Sequence, residues 1–149
     1  MKKHYLLYTA ISYFMFALWV PPILASVKTA DIPIPLAKAF AVYKTDGARQ
    51  FINTLVNDGP MEGNIEIRSQ IAILEKVEAY YGKYKSYDIL DIKRFSDSTR
   101  LIYLLINFEK GAVFGKLIAF KNTQQEIVSS FVFHTKPEQV FPDALLSSQ

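Results

Sequence analysis

Residues 84–135 read YKSYDILDIKRFSDSTRLIYLLINFEKGAVFGKLIAFKNTQQEIVSSFVFHT: four apolar runs parted by short polar stretches around Ser96-Asp97-Ser98, Glu109-Lys110-Gly111 and Asn122-Thr123-Gln124. No stretch between the runs is long enough for a crossover helix, so successive strands are expected to pair as antiparallel hairpins in one meander. The strands are placed at residues 86–95, 100–108, 112–121 and 126–134. In the first, Tyr87, Ile89 and Asp91 alternate with Asp88, Leu90 and Ile92, and its acids mark a sheet edge rather than a carboxylate pair. The second is apolar on both faces, Leu101, Tyr103 and Leu105 against Ile102, Leu104 and Ile106, so it should be central and covered on both sides. Gly115 in the third predicts a bend or bulge. In the fourth, strict alternation puts Phe131 and Phe133 on one face and Val128, Val132 and His134 on the other.

Upstream of the meander the apolar period changes from two to about three and a half. Ile67, Gln70, Ile71, Leu74, Val77, Glu78 and Tyr81 share one face of a helix over Ile65–Tyr81, which Gly82 terminates. Before it, Leu36, Phe40 and Tyr43, then Gly47, Phe51 and Leu55, follow a helical face with a break expected near Thr45. Asn57-Asp58-Gly59-Pro60 closes that stretch, because proline cannot continue a helix. After the meander, Pro137 and Pro142 interrupt a tail that is expected to fold back on the domain and to fray over residues 143–149. One domain over residues 36–142 follows, α+β in class: N-terminal helices packed on a curved four-stranded antiparallel meander.

The first residues belong to a different pattern. Lys2, Lys3 and His4 precede an apolar run from Tyr5 to Val20, then Pro21-Pro22 and the small residues Ala25-Ser26. Residues 1–25 are expected to be a secretory signal peptide cut after Ala25, with 26–35 a flexible lead-in. The competing reading, an uncleaved anchor, meets a run of only sixteen residues where a bilayer helix needs about twenty. A periplasmic or secreted location follows, with membrane contact only through the leader during export. Losing Lys2 and Lys3 takes the formal charge from +3 to +1. The remaining cations alternate with acids, which argues against nucleic acid as a partner. The absence of cysteine excludes disulfides, thiolate metal sites and a cysteine nucleophile.

Four clusters carry a resemblance: Glu78-x-Tyr80-Tyr81-Gly82-x-Tyr84-x-x-Tyr87, Thr99-Arg100-x-x-Tyr103, Phe108-Glu109-Lys110-Gly111 and Phe131-x-Phe133-x-Thr135-x-Pro137-Glu138. With the helices-then-meander order they resemble small exported proteins of unassigned function in the nuclear-transport-factor-2-like, or cystatin-like, superfamily, over roughly residues 38–142. The resemblance implies a half-open cone between helices and sheet. Such folds host isomerases, dehydratases, cyclases, carriers and interaction modules, so function has to come from the site.

Glu78 stands out, a carboxylate inside an apolar stripe where burial would raise its pKa and suit it to acid or base chemistry. Its structural alternative is a rim glutamate paired with Arg100, Lys83 or Lys85. His134, the sole histidine after the leader, lacks the nucleophile and acid of a triad, and nothing clusters with it as a metal would require. Tyr81 and Tyr103 are candidate hydrogen-bond donors beside Glu78. No cofactor fingerprint, phosphate-cradling loop or metal spacing occurs. The expectation is an exported, non-enzymatic binding or interaction module for an unknown protein or small apolar ligand. One form of interaction is a homodimer closed through the open sheet face by Phe114, Ile118, Val128 and Val132. The alternatives are a small-molecule enzyme using Glu78 in the cone, and a carrier of an apolar ligand.

Overall fold

The computed structural model describes residues 31–147; the leader and the cut near Ala25 lie outside the described residues. Helix α1 (Ile34–Val56) and helix α2 (Ile65–Tyr81) precede strands β1 (Tyr84–Arg94), β2 (Thr99–Phe108), β3 (Ala112–Lys121) and β4 (Glu126–His134). A short 3-10 turn, Pro137–Gln139, and a one-turn helix α3 (Asp143–Leu146) follow. The four strands form one antiparallel sheet in the order β1-β2-β3-β4, as the hairpin spacing requires, and both long helices cover the same face. No helix among the described residues is long and apolar enough to cross a membrane.

The α1 stretch is two helical pieces that meet at a kink at Gly47, two residues beyond the break expected near Thr45. Gly47 alone leaves helical geometry, with φ 75° and ψ −173°. A Cβ there would meet nothing within 4 Å, so the backbone conformation and not crowding selects glycine. Pro33 cannot cap the helix by side chain; instead the Ile34 N–H donates to Glu126 Oε2 across the fold at 3.1 Å. Glu126 is also ion-paired to Arg100, and Arg100 Nη1 donates to the Asp31 carbonyl at 2.6 Å. Arg94 pairs with the Asp31 carboxylate at 2.5 Å. The end of the expected flexible lead-in, residues 31–35, is thereby fastened to β1, β2 and β4.

The interior between helices and sheet is filled. Phe40 stacks on Tyr87 with centroids 3.9 Å apart and planes 4° from parallel, and Tyr43 stacks on both Phe51 and Tyr84 at 4.7 and 4.6 Å. Leu36, Ile52, Leu55, Leu74, Ile102, Leu104, Ile106, Val113 and Phe133 complete a core from which water is excluded. The aromatics that a cone would have presented to a ligand pack against one another instead.

Three bulges set which side chains reach that core. Lys85 and Leu90 are extra residues in β1 against β2, and Ser129 is extra in β4 against β3. A bulge shifts the alternation by one residue. Ile89 and Ile92 therefore both join the helix-covered core, while Leu90 turns to the other face. Ser129 likewise brings Val128 to the same buried face as Phe131 and Phe133, correcting its expected place on the open face. Gly115 is not at a bulge: it pairs in register with Leu104 and Phe133, and a Cβ would strike the Phe133 ring at 2.7 Å.

The opposite sheet face is partly roofed by the tail. Val140 and Phe141 are buried against Tyr103 and Phe114, with the Phe141 ring edge-on to both at 5.7 and 5.5 Å. Phe114 is thus covered from within the chain, Val128 is inside, and only Ile118 and Val132 of the four expected dimer contacts remain as half-exposed side chains of that face. The segment expected to fray carries α3, whose Leu145 packs on the same cluster.

Candidate functional site

Two helix interruptions meet at one corner of the fold. The Gly47 kink in α1 and the Gly82 end of α2, φ 82°, both put glycine in the left-handed region and leave a cleft of about 450 Å³ between them. Tyr43, Lys44 and Thr45 from α1, Glu78 from the last turn of α2, and Lys83 and Tyr84 at the entry to β1 line it. Its position is fixed by stitching to the β2–β3 turn. Lys110 N–H donates to the Tyr81 carbonyl at 2.8 Å, Glu109 N–H to the Lys83 carbonyl at 3.1 Å, and the Glu109 carboxylate accepts the Lys83 N–H at 3.2 Å while pairing with Lys85 at 3.4 Å. These contacts hold the Glu109 carboxyl below the usual carboxylate range.

Tyr43 is the floor of the cleft. Only 2 % of it is exposed, and its hydroxyl is buried without a well-formed hydrogen bond. Burial, then the neighbouring Glu78 carboxyl, pushes the phenol far above its ordinary pKa, so it stays protonated and can act only as a neutral donor or acceptor. The Glu78 carboxylate acts on the Tyr43 hydroxyl through its charge and as a hydrogen-bond acceptor, but the contact is too poorly aligned or too long to satisfy the hydroxyl fully. Burial raises the Glu78 pKa, the Tyr43 hydroxyl works against that rise, and the charge of Glu75 adds to it. Tyr84 is pushed up to about 12 by burial, with Tyr87 and Asp88 contributing. These three shifted groups gather in one cleft, which makes it the candidate site among the described residues, since burial and neighbours shift pKa where sites are tuned as well as in structural cores.

The other expected site residues are elsewhere. Tyr81 and His134 sit together, but in a separate groove of about 430 Å³ beside α2 and the end of β4. Tyr103 is on the opposite face of the sheet, sealed by Phe141. Glu78 does not pair with Arg100, Lys83 or Lys85: Arg100 is taken by Glu126 and Lys85 by Glu109. No group of three or more His, Asp or Glu side chains that would hold a metal occurs among the described residues. Tyr43 was read from sequence only as a core aromatic, since its helical spacing with Phe40 carries no sign that its hydroxyl would be stranded.

No protein-family model matches the sequence, and no curated protein matches it. Among solved structures, the fold is similar to an NTF-2-like protein of unknown function from Silicibacter pomeroyi DSS-3, at 13 % identity and TM-score 0.45, over 68 % of this chain and 90 % of that one. It is also similar to a DUF4783 family protein from Bacteroides uniformis ATCC 8492, at 10 % identity and TM-score 0.43, over 64 % of this chain and 92 % of that one. Both scores lie below one half, and neither neighbour informs the site.

Proposed function

We propose that the protein is an exported, non-enzymatic binding module, and that its ligand enters the cleft between the Gly47 kink and the Gly82 corner. The observation that carries this reading is the buried Tyr43 hydroxyl, which makes no well-formed hydrogen bond within the fold and has only a weak contact with Glu78. Leaving such a group unsatisfied costs on the order of 1–3 kcal/mol, a cost that a ligand bearing a hydrogen-bond acceptor would relieve on binding. The cleft's size suits a small molecule, and the half-buried Tyr84 ring gives an apolar body somewhere to lie. Export is supported by the basic start, the apolar run and the small residues ending at Ala25.

Binding is preferred to catalysis because the groups an enzyme would need are dispersed. Glu78 faces the cleft, Tyr81 and His134 the groove, and Tyr103 the far side of the sheet. What favours the enzymatic alternative is the raised pKa of Glu78 beside a neutral phenol, an acid and a donor in one place. An NMR screen of small carbonyl and carboxylate compounds against the wild type and Tyr43→Phe tests the proposal. Binders that shift Tyr43 and Tyr84 resonances and are lost in Tyr43→Phe support it. Binders that ignore the substitution contradict it, and a compound chemically converted by the wild type but not by Glu78→Gln would establish the enzymatic alternative.

A further inference from the structure

Along one side of α2 an apolar stripe runs from the edge of the core to the surface beside the end of β4. Ile73, Val77, Tyr80 and Tyr81 recur at helical spacing: Val77 is buried, Ile73 and Tyr81 are half-buried, and Tyr80 is 73 % exposed, an unusual state for so large a ring. Tyr81 is held in place by its contact with Gly111, so the stripe ends on a fixed aromatic wall. The groove between this face and the end of β4 is lined by one cation, Lys76, by the imidazole of His134, and by no carboxylate. Lys76 makes no ion pair among the described residues. His134 Nδ1 accepts the Lys136 N–H at 3.0 Å, which leaves Nε2 as the ring's hydrogen-bond donor. Donors and positive charge at the rim of an apolar groove are complementary to one kind of small molecule: an apolar body with an anionic head.

We propose that this groove binds a small amphipathic anion, its acyl or aryl chain lying along Ile73, Val77, Tyr80 and Tyr81 and its head met by Lys76 and His134. The site is separate from the Tyr43 cleft and stands or falls independently of it.

The test is NMR titration of the full chain with 4-phenylbutyrate, its neutral amide 4-phenylbutanamide and the cation 4-phenylbutylamine, each to about 5 mM, a range that captures weak binding. The expected result is that the carboxylate shifts the Tyr80 and His134 ring signals, with the amide and amine binding at least about fivefold more weakly. Lys76→Gln and His134→Gln should each weaken the carboxylate about threefold, and Tyr80→Ala about tenfold. Equal binding of the amide would overturn the proposal, as would the absence of any shift at Tyr80 and His134. Shifts confined to Tyr43 and Tyr84 would assign the compound to the other cleft and overturn it too. Shifts of the groove signals on simple dilution of the protein would assign the groove to a second copy of the chain, with the same consequence.

Discussion

The Tyr81 ring lies against Gly111 so closely that a Cβ at Gly111 would come within 2.8 Å of Cδ2 and 2.9 Å of Cε2. Tyr80-Tyr81-Gly82 and Phe108-Glu109-Lys110-Gly111, far apart in sequence, are thus two halves of one joint that ties the end of α2 to the β2–β3 turn. Gly111→Ala should destabilise the protein by about 1–3 kcal/mol, the cost of overpacking. Urea denaturation measures it, and Tyr81→Ala in the same chain should remove most of the added penalty by emptying the space.

The Ser129 bulge makes a second, sharper distinction. Val128 is fully buried on the helix-covered face and Val132 half-exposed on the other. Val128→Ala should cost about 2 kcal/mol and Val132→Ala well under 1 kcal/mol in the same denaturation assay. Equal costs would mean that β4 alternates regularly and that the bulge is absent.

The meander and the α2 helix were legible because each is a local pattern. The bounds of β3, β4 and α2 follow from where apolar periodicity meets Gly82, Gly111 and Asn122, and these turn residues act within their own few positions. The bulges were not legible, since Lys85, Leu90 and Ser129 look like any other residue in alternation and only pairing with the neighbouring strand makes them extra. The site was half legible. Glu78 stood out as a carboxylate in an apolar stripe, but its partner in the cleft, Tyr43, is set by how the Gly47 kink aims one helix at the end of another, a tertiary fact with no local trace. The same reason parts Glu78 from its two candidate donors, Tyr103 lying on the far face of the sheet and Tyr81 in the neighbouring groove with His134.

Arg100 and Glu126 form the least exposed ion pair among the described residues, with side chains 14 % and 9 % exposed. Removing one partner strands the other's charge, which is far costlier than replacing both. Arg100→Met should lose about 3–5 kcal/mol and also loosen residues 31–34, whose Asp31 carbonyl and Ile34 N–H the pair holds. The double change Arg100→Met with Glu126→Leu should recover part of that loss. Thermal unfolding gives the stabilities, and hydrogen exchange at the start of α1 gives the loosening.

Burial raises the Glu78 pKa, so the folded state holds this proton more tightly than the unfolded chain does. Stability is then lost as pH rises from the ordinary glutamate value through the raised one, because folding must keep an ionised carboxylate in the cleft. Glu78→Gln should therefore be stabilising relative to the wild type at neutral pH, with the advantage shrinking toward zero as pH falls below the carboxylate range. Urea denaturation of both proteins across that range checks the sign. An advantage that grows on acidification would show that the Glu78 carboxylate is favourably held in the fold.

The stability of Tyr43→Phe tests the central claim, that the Tyr43 hydroxyl is left unsatisfied by the fold and kept for a ligand. Replacing this buried hydroxyl with hydrogen removes a desolvation cost and only the weak contact with Glu78. The account predicts that in ligand-free chemical denaturation Tyr43→Phe is as stable as the wild type or more stable by about 1 kcal/mol. A loss of about 1–2 kcal/mol would contradict it, because the hydroxyl would then be bonded within the fold and the cleft would have no donor waiting to be met.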